Sequence, residues 1–469
     1  MTQKKQKVHF MGIGGSGMSA VALLAHEAGY IVEGSDLQAD TPYLSKVKKA
    51  GIKTYVGHTS EVLDGVDLLA VTPAVYFNTN NDFLDEAKER NVPVVTWQEF
   101  MGRFLHRDKR LIAVSGTHGK STTTTLLGLL YESAGKDPTV EVGATVAEWN
   151  SNFRYGKSDI FISEADEFYG NFLHYHPDVI ILNNIEFDHP DYFTSESHLF
   201  ETFESFIKNI QGEKLLIINQ DSEGIATLLD RLDIDLLESL KIIGYTLSDS
   251  PYISVPNSFR AIDIVRSTVS TEFSVDNSDH TYNENFSLTL TGDYNISNAL
   301  GVIALSAYDM IDPRTVRSSL KLFKGAGRRM ELLGEKHGCV VFDDYAHHPT
   351  AIKATLAGLR QRYPKKTIIC VSEPHSFSRT KTLLPLYENA FNDADIVCIA
   401  PIYKARDTEE FGVSGKSIVT VSGHTNCRAF DSLEEVQTEV VKKATKDCVI
   451  IVMGAGKSYQ LARDIFSKL

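Results

Sequence analysis

"LIAVSGTHGKSTTTTLLGLL", residues 111–130, decides how this chain is read. An apolar run, Leu111 to Val114, leads into Gly116, Gly119, Lys120 and Ser121, and a helix-like stretch follows. A strand, a glycine turn and a helix start make a phosphate cradle. Backbone N–H groups close on the oxygens, and the helix offers its positive end. Lys120 supplies a cation for the outer phosphates, and the Ser121 hydroxyl suits Mg2+. Thr117, His118 and Thr122 complete the loop. The usual pattern is G-x-x-x-x-G-K-[ST]; here the first glycine stands only three residues before the second, which shortens the loop without removing its physics.

A second glycine loop lies about a hundred residues upstream, in "VHFMGIGGSGMSAVALLAHEAGY" (residues 8–30). Gly12, Gly14 and Gly17 form G-x-G-x-x-G, with Gly15 added and Ser16 and Met18 in the first helical turn. After the next strand comes "EGSD", where Ser35 and Asp36 stand in position to bond a ribose hydroxyl. This loop is specific for a diphosphate and weak for its cargo: NAD, FAD and a sugar nucleotide all satisfy it. A nicotinamide-dependent oxidoreductase is the competing reading, but it gives Lys120 and Ser121 no task. A UDP-sugar sensor without turnover is a third.

The chain has 469 residues, a length that fits about three domains. Its net charge of -14 argues against a nucleic-acid partner, since a phosphate backbone wants a basic face. Cys339, Cys370, Cys398, Cys427 and Cys448 show no C-x-x-C spacing and read as reduced core residues, neither a metal site nor disulfides. The start, "MTQKKQKVHF", is basic without an apolar signal core, and no stretch is long and apolar enough to span a membrane. These features imply a cytoplasmic protein without membrane insertion.

Short apolar runs alternate with amphipathic stretches, which predicts an α/β protein with parallel sheets. Strands are expected at 8–11, 31–33, 53–56, 68–71 and 94–96, forming a Rossmann-like unit. "DIFISEAD", "VIILNNIEFDH" and "KLLIINQD" extend a second, P-loop unit. "TVSTEFSV" and "NFSLTL" alternate as antiparallel strands would, and helices are expected near Asn295 and Pro313. "CVVFDDYAHHP", "TIICVSE", "DIVCIAP", "NCRAF" and "CVIIVMGAG" build a third, Rossmann-like unit. The expected boundaries are 1–107, 108–325 and 326–469.

Between the loops and the C-terminus lie the reactive side chains. Glu164 ends one strand and His189 follows the next, so both should emerge beside Ser121. Oxygen ligands suit Mg2+, and the imidazole points to a second ion, Mg2+ or Mn2+. Asp166, Glu167 and Asp188 read equally as solvated loop carboxylates or as functional groups. His174 is taken as a site residue and His176 as a surface one. Asn295 and Asn298, three apart on one helix, could bond adenine, although Asn295 also suits a helix cap. Arg328 and Arg329 sit at a joint, where a cation could reach a γ-phosphate or simply lie on the surface. Asp343, Asp344, Tyr345, His347 and His348 crowd one strand end, and His375 and Arg379 the next. Burying so many polar groups is costly unless they are used.

Taken in order, "GIGGSGMS", "GTHGKSTTT", "EADE", "NNIEFDH", "GDYNISNAL", "GAGRRMELLGE", "DDYAHHP" and "PHSFSRT" resemble the Mur ligase family across nearly the whole length. The resemblance implies that the first loop holds the UDP diphosphate of a sugar substrate and the second holds ATP. It implies a UDP site of Gly12, Gly14, Gly15, Ser16, Gly17, Met18, Ser35, Asp36, His58 and His174. It implies an ATP site of Gly116, Thr117, His118, Gly119, Lys120, Ser121, Thr122, Asn295, Asn298, Arg328 and Asp344. Ser121, Glu164 and His189 would hold two metal ions, and Tyr345, His347, His348, His375 and Arg379 would line the amino-acid side. The implied reaction is amide formation through an acyl phosphate, with Lys120, Glu164, His189, Arg328, His347, His348 and Arg379 acting. The motifs lie nearest the branch that adds L-alanine to UDP-N-acetylmuramate in peptidoglycan synthesis; the tripeptide-adding recycling branch is the alternative. A monomer or homodimer is expected. Ser376 and Lys457 depart from the family pattern on the amino-acid side.

Overall fold

A computed structural model describes residues 5–73, 75, 82–278 and 282–469; the first four residues of the basic N-terminal run lie outside it. Three sheets follow one another along the chain. The first holds β1 (Lys7–Met11), β2 (Ile31–Asp36), β3 (Lys53–Val56), β4 (Leu68–Val71) and β5 (Val94–Thr96), all parallel, in the order β3-β2-β1-β4-β5. The order reverses beside β1, which opens a crevice at its carboxyl end. The Gly12–Gly17 loop leaves β1 into that crevice.

The second sheet has ten strands: β6 (Arg110–Ser115), β7 (Thr139–Val146), β8 (Ser151–Arg154), β9 (Ile160–Ala165), β10 (Val179–Leu182), β11 (Leu215–Asn219), β12 (Lys241–Thr246), β13 (Ser258–Arg266), β14 (Thr271–Asn277) and β15 (Asn285–Leu288). Their order is β15-β14-β13-β12-β11-β10-β6-β9-β7-β8. Its centre is parallel, and β10 and the first four residues of β11 are buried because helices cover both faces. Its edges are antiparallel. In β14 the burial alternates, with Thr271, Phe273, Val275 and Asn277 turned inward, so the alternating pattern had its expected cause.

The third sheet holds β16 (Glu331–Lys336), β17 (Cys339–Asp344), β18 (Thr367–Glu373), β19 (Ile396–Ile399), β20 (Cys427–Ala429) and β21 (Cys448–Gly454), in the order β16-β17-β21-β18-β19-β20. Only β16 runs antiparallel. One apolar cluster joins the first two units, from Phe10 and Phe100 through Phe172 to Phe203 and Phe206. Burying each such ring contributes about 2–3 kcal/mol. Among the described residues no helix is long and apolar enough to cross a membrane.

Two expectations fail here. The run "VIILNNIEFDH" leaves the sheet at Leu182: beyond it the Asn183 side chain donates to Thr123 on the helix Lys120–Ser133, and Asn184 accepts from His118 N–H of the glycine loop. Cys339 and Cys448 are not free thiols but form a disulfide. They stand opposite each other on adjacent strands, Cα atoms 4.9 Å apart, although 109 residues separate them in the chain. No local spacing could signal that pairing. Cys370, Cys398 and Cys427 are free and buried, as expected.

Candidate active site

The first loop is held from behind. Gly14 N–H donates to Asp36 Oδ2 (2.8 Å), and Gln38 N–H donates to the other oxygen (3.0 Å). Gly12 N–H donates to the Ser35 carbonyl (2.7 Å). A Cβ on Gly14 would fall 2.8 Å from the Asp36 carboxylate, so only glycine lets the loop close there. The helix Ser16–Glu27 that follows has no side-chain cap. Its first N–H groups are therefore oriented for an anion.

Not every residue assigned to this loop faces a ligand. The Ser35 hydroxyl is buried between His9 Nε2 and His58 Nδ1, each 2.8 Å away, so Ser35 and His58 brace the loop from within the sheet. Burial holds the His58 imidazole below its ordinary range. Met18 is packed in the core, and Ser16 gives its carbonyl to Asn152. His174 is exposed on the short helix Phe168–His174, and no hydrogen bond joins it to the loop among the described residues.

The second loop begins at Gly116 (φ 128°) and ends at Gly119 (φ 84°), where a left-handed residue turns the chain into the uncapped helix Lys120–Ser133. Lys120 Nζ folds back onto the Gly116 carbonyl (2.6 Å) and the buried Glu167 carboxylate (2.7 Å). Burial alone would lower the pKa of this ammonium; Glu167 and Asp166 outweigh it and raise it, so Lys120 stays charged. Thus Glu167 is no solvated loop carboxylate. Asn184 clamps the loop, accepting from His118 N–H (2.8 Å) and donating to the His118 carbonyl (3.1 Å). Asn183 donates to Thr123 (3.1 Å). Thr117 and Glu186 exchange hydrogen bonds, and Thr122 is buried.

Ser121 Oγ donates to Glu164 Oε1 (3.0 Å), whose other oxygen accepts from Gly143 N–H (2.7 Å). The two predicted ligands therefore meet, one in the first turn of the helix Lys120–Ser133 and one near the end of β9, offering hard oxygen donors that fit Mg2+. His189 (φ 55°) packs its ring on Phe168, 4.6 Å between centroids, beside Asp188. Burial lowers its pKa, opposed by Asp188. Asn298 abuts the Gly119 backbone, whereas the Asn295 amide is taken by the Thr291 carbonyl (2.8 Å).

The third sheet closes over this edge. Arg329 Nη2 donates to Ser121 Oγ (3.2 Å), and its guanidinium lies 4.8 Å from the centre of the Tyr345 ring. Arg328 corrects the expectation. It pairs with buried Asp343 (3.3 Å) and bonds the Gly454 carbonyl (2.7 Å) and Ser458, inside its own unit. Both guanidinium groups lie over the Tyr345 ring, but only Arg329 reaches Ser121. Asp344 is likewise committed, accepting from the backbone of Met330 and Ala346 (2.7 Å each) and anchoring the joint.

The two histidines separate by their partners. His347 Nδ1–H donates to the Tyr345 carbonyl (2.8 Å), which leaves Nε2 as a lone pair beside His375, ring centroids 5.6 Å apart. His348 caps the helix Pro349–Arg362 through Nδ1 and faces the Phe187 carbonyl (3.4 Å) through Nε2. Burial holds His347 well below its ordinary range and takes His348 and His375 each down to about 4. Arg379 forms a buried ion pair with Asp188, across the joint. Burial opposes ionisation of Asp188, but Arg379 holds it well below the carboxylate range, so it too is no solvated acid. Arg379 Nε is buried with no partner among the described residues. Ser376 caps the helix Phe377–Thr382 that carries Arg379, accepting from its N–H (3.2 Å), while Lys457 offers Glu373 only its backbone N–H (3.1 Å).

Sequence reasoning missed Asn183, Asn184 and Glu186 as loop clamps and chose Arg328 over Arg329. The "NNIE" run directly after an apolar strand was the available signal for the first three; nothing in a paired arginine tells which one turns inward.

Comparison with known proteins agrees with this arrangement. Residues 7–109 match the model described as "Mur ligase family, catalytic domain", 114–306 "Mur ligase middle domain" and 328–456 "Mur ligase, glutamate ligase domain". The chain is 33% identical over 466 residues to a UDP-N-acetylmuramate–L-alanine ligase of Agrobacterium fabrum, covering 98% of this chain and 96% of that one. It is 34% identical over 470 residues to the like-named protein of Clostridium tetani, covering 99% and 98%. The crystal structure of UDP-N-acetylmuramate-alanine ligase from Thermotoga maritima superposes with a TM-score of 0.78 at 25% identity, covering 98% of each chain. Matched by family along all three sheets, the chain belongs to the Mur ligase family.

Proposed function

We propose that this chain joins L-alanine to the lactyl carboxylate of UDP-N-acetylmuramate, with cleavage of ATP to ADP and phosphate, in peptidoglycan precursor synthesis. The names of its relatives, alike over almost the whole length, support the reaction class. The observation that carries the reading is the Ser121–Glu164 pair beside Lys120, met from the third sheet by Arg329. The units 1–107, 108–325 and 326–469 are assigned the UDP-sugar, ATP and amino acid in turn, in a cytoplasmic enzyme that acts as a monomer or homodimer.

The lactyl carboxylate attacks the γ-phosphorus of ATP, the bond to ADP breaks, and an acyl phosphate forms. The neutral amine then attacks the acyl carbon, phosphate leaves from the tetrahedral intermediate, and the amine proton passes to the departing phosphate. Two anions must approach, so charge neutralisation is the largest demand. Lys120 and Arg329 meet it from the protein. Ser121 and Glu164 would hold one Mg2+ and His189 would help hold a second, Mg2+ or Mn2+; bound metal neutralises phosphate oxygens. His347 stays neutral and offers Nε2 as an acceptor that orients the amine. The unpaired Arg379 Nε suits the amino acid's carboxylate.

An ADP-release assay with UDP-N-acetylmuramate, ATP and a panel of L-alanine, L-serine, glycine and the murein tripeptide tests this. ADP release should require the UDP-sugar and be fastest with L-alanine. Release with the tripeptide alone would move the chain to the recycling branch. No release, together with thermal stabilisation by NADH, would overturn the ligase reading.

A further inference from the structure

One cluster of ligating groups includes none of the expected metal ligands Ser121, Glu164 and His189. His118 Nε2 lies 2.7 Å from Glu186 Oε2, and His348 Nδ1 lies 3.7 Å from the same oxygen. All three ligand atoms fall within 4.8 Å of one another. The His118 and His348 rings stand 4.9 Å apart, centre to centre. His118 comes from the phosphate loop, Glu186 from the loop after β10 and His348 from the helix cap of the third sheet, so the cluster spans the joint.

The surroundings suit a cation. Thr350 Oγ donates to Glu186 Oε1 (2.5 Å), fixing the carboxylate with Oε2 toward the histidines. His348 turns Nε2 to the Phe187 carbonyl, so its proton sits there; the Nδ1 lone pair accepts a long hydrogen bond from Thr350 N–H (3.3 Å), which an ion would have to displace. That outer hydrogen bond is the device that orients metal-bound histidines. Two imidazoles and one carboxylate favour a borderline cation such as Zn2+ over Mg2+.

We propose that a divalent transition cation of the zinc class binds between His118, Glu186 and His348 and clamps the phosphate loop to the third sheet. The ion takes the place of the proton shared by His118 and Glu186, and His118 adopts the tautomer protonated on Nδ1. This site is separate from the Ser121–Glu164 pair. Because its ligands come from both sides of the joint, its occupation holds the joint shut and slows the opening that releases product.

Co2+ is the probe, added to the full-length protein in excess Mg2+, with binding read from its visible absorption. Wild type should take up one Co2+ per chain, and Glu164→Gln should bind it equally. Glu186→Gln should lose the absorption. Thr350→Val, which keeps all three ligands, should weaken Co2+ by about 10–100-fold. Thermal unfolding of each variant without Co2+ shows whether it has folded. Absent absorption in wild type overturns the proposal. So does absorption that survives Glu186→Gln or disappears in Glu164→Gln.

Discussion

Arg329 and Ser121 meet across the joint between the second and third sheets, guanidinium to hydroxyl at 3.2 Å. The contact places a cation from one unit on Ser121, in the first turn of the helix Lys120–Ser133 of another. Its neighbour Arg328 is spent inside its own unit. The two arginines should therefore fail differently. Arg329→Ala should lower kcat by on the order of 100–1,000-fold with little change in melting temperature. Arg328→Ala leaves the buried Asp343 carboxylate with only the longer Arg463 contact (3.8 Å) and should cost about 2–3 kcal/mol of stability. Steady-state kinetics and denaturant unfolding of both variants check this; the reverse assignment would overturn it.

Lys120→Met should remove thermal stabilisation by ATP and leave that by UDP-N-acetylmuramate in place. A ligand at 100 times its Kd adds about 2.7 kcal/mol, which is easily measured. The variant itself should be less stable, by about 3 kcal/mol, since Glu167 loses its buried partner. Loss of both ligand effects together would sink the two-loop division of labour.

Asp188→Asn leaves the Arg379 guanidinium buried without a counter-charge. The expected result is a fall in kcat/KM for L-alanine of about 30-fold or more, with binding of the UDP-sugar unchanged. Varying each substrate in turn separates the two effects. A uniform loss across all three substrates would mean that the pair is only structural.

Chelating divalent cations should abolish ADP release, and Mg2+ or Mn2+ should restore it. Glu164→Gln should raise the Mg2+ concentration needed by at least about tenfold. An unchanged Mg2+ requirement would remove Glu164 from the metal site.

His106 is fully buried between Phe161 and Tyr175, ring centroids 4.5 and 4.6 Å away, and neither ring nitrogen has a partner among the described residues. Burial takes its pKa down to about 3. The unfolded chain binds this proton near pH 6.5 and the folded chain does not, so stability is full above about pH 6.5 and drains as pH falls toward 3. His348 and His375, each near 4, act in the same direction. His106→Leu should flatten the slope by up to about 1.4 kcal/mol per pH unit around pH 5. Urea unfolding at a series of pH values measures it; an unchanged slope would refute the assignment.

The sequence on its own determined the three-layered α/β plan, because buried parallel strands must be apolar runs and phosphate turns must carry glycine. The motif order was legible too: both glycine loops leave strand ends, and Glu164 stands near the end of β9. Tertiary structure alone decided which of two adjacent arginines turns inward, which of two adjacent histidines keeps a free nitrogen, and that Cys339 meets Cys448. Each of those outcomes depends on what stands across a joint or on the next strand, far away in the chain. Local pattern records only the periodicity of a segment's own burial, so it cannot name the partner on the other side.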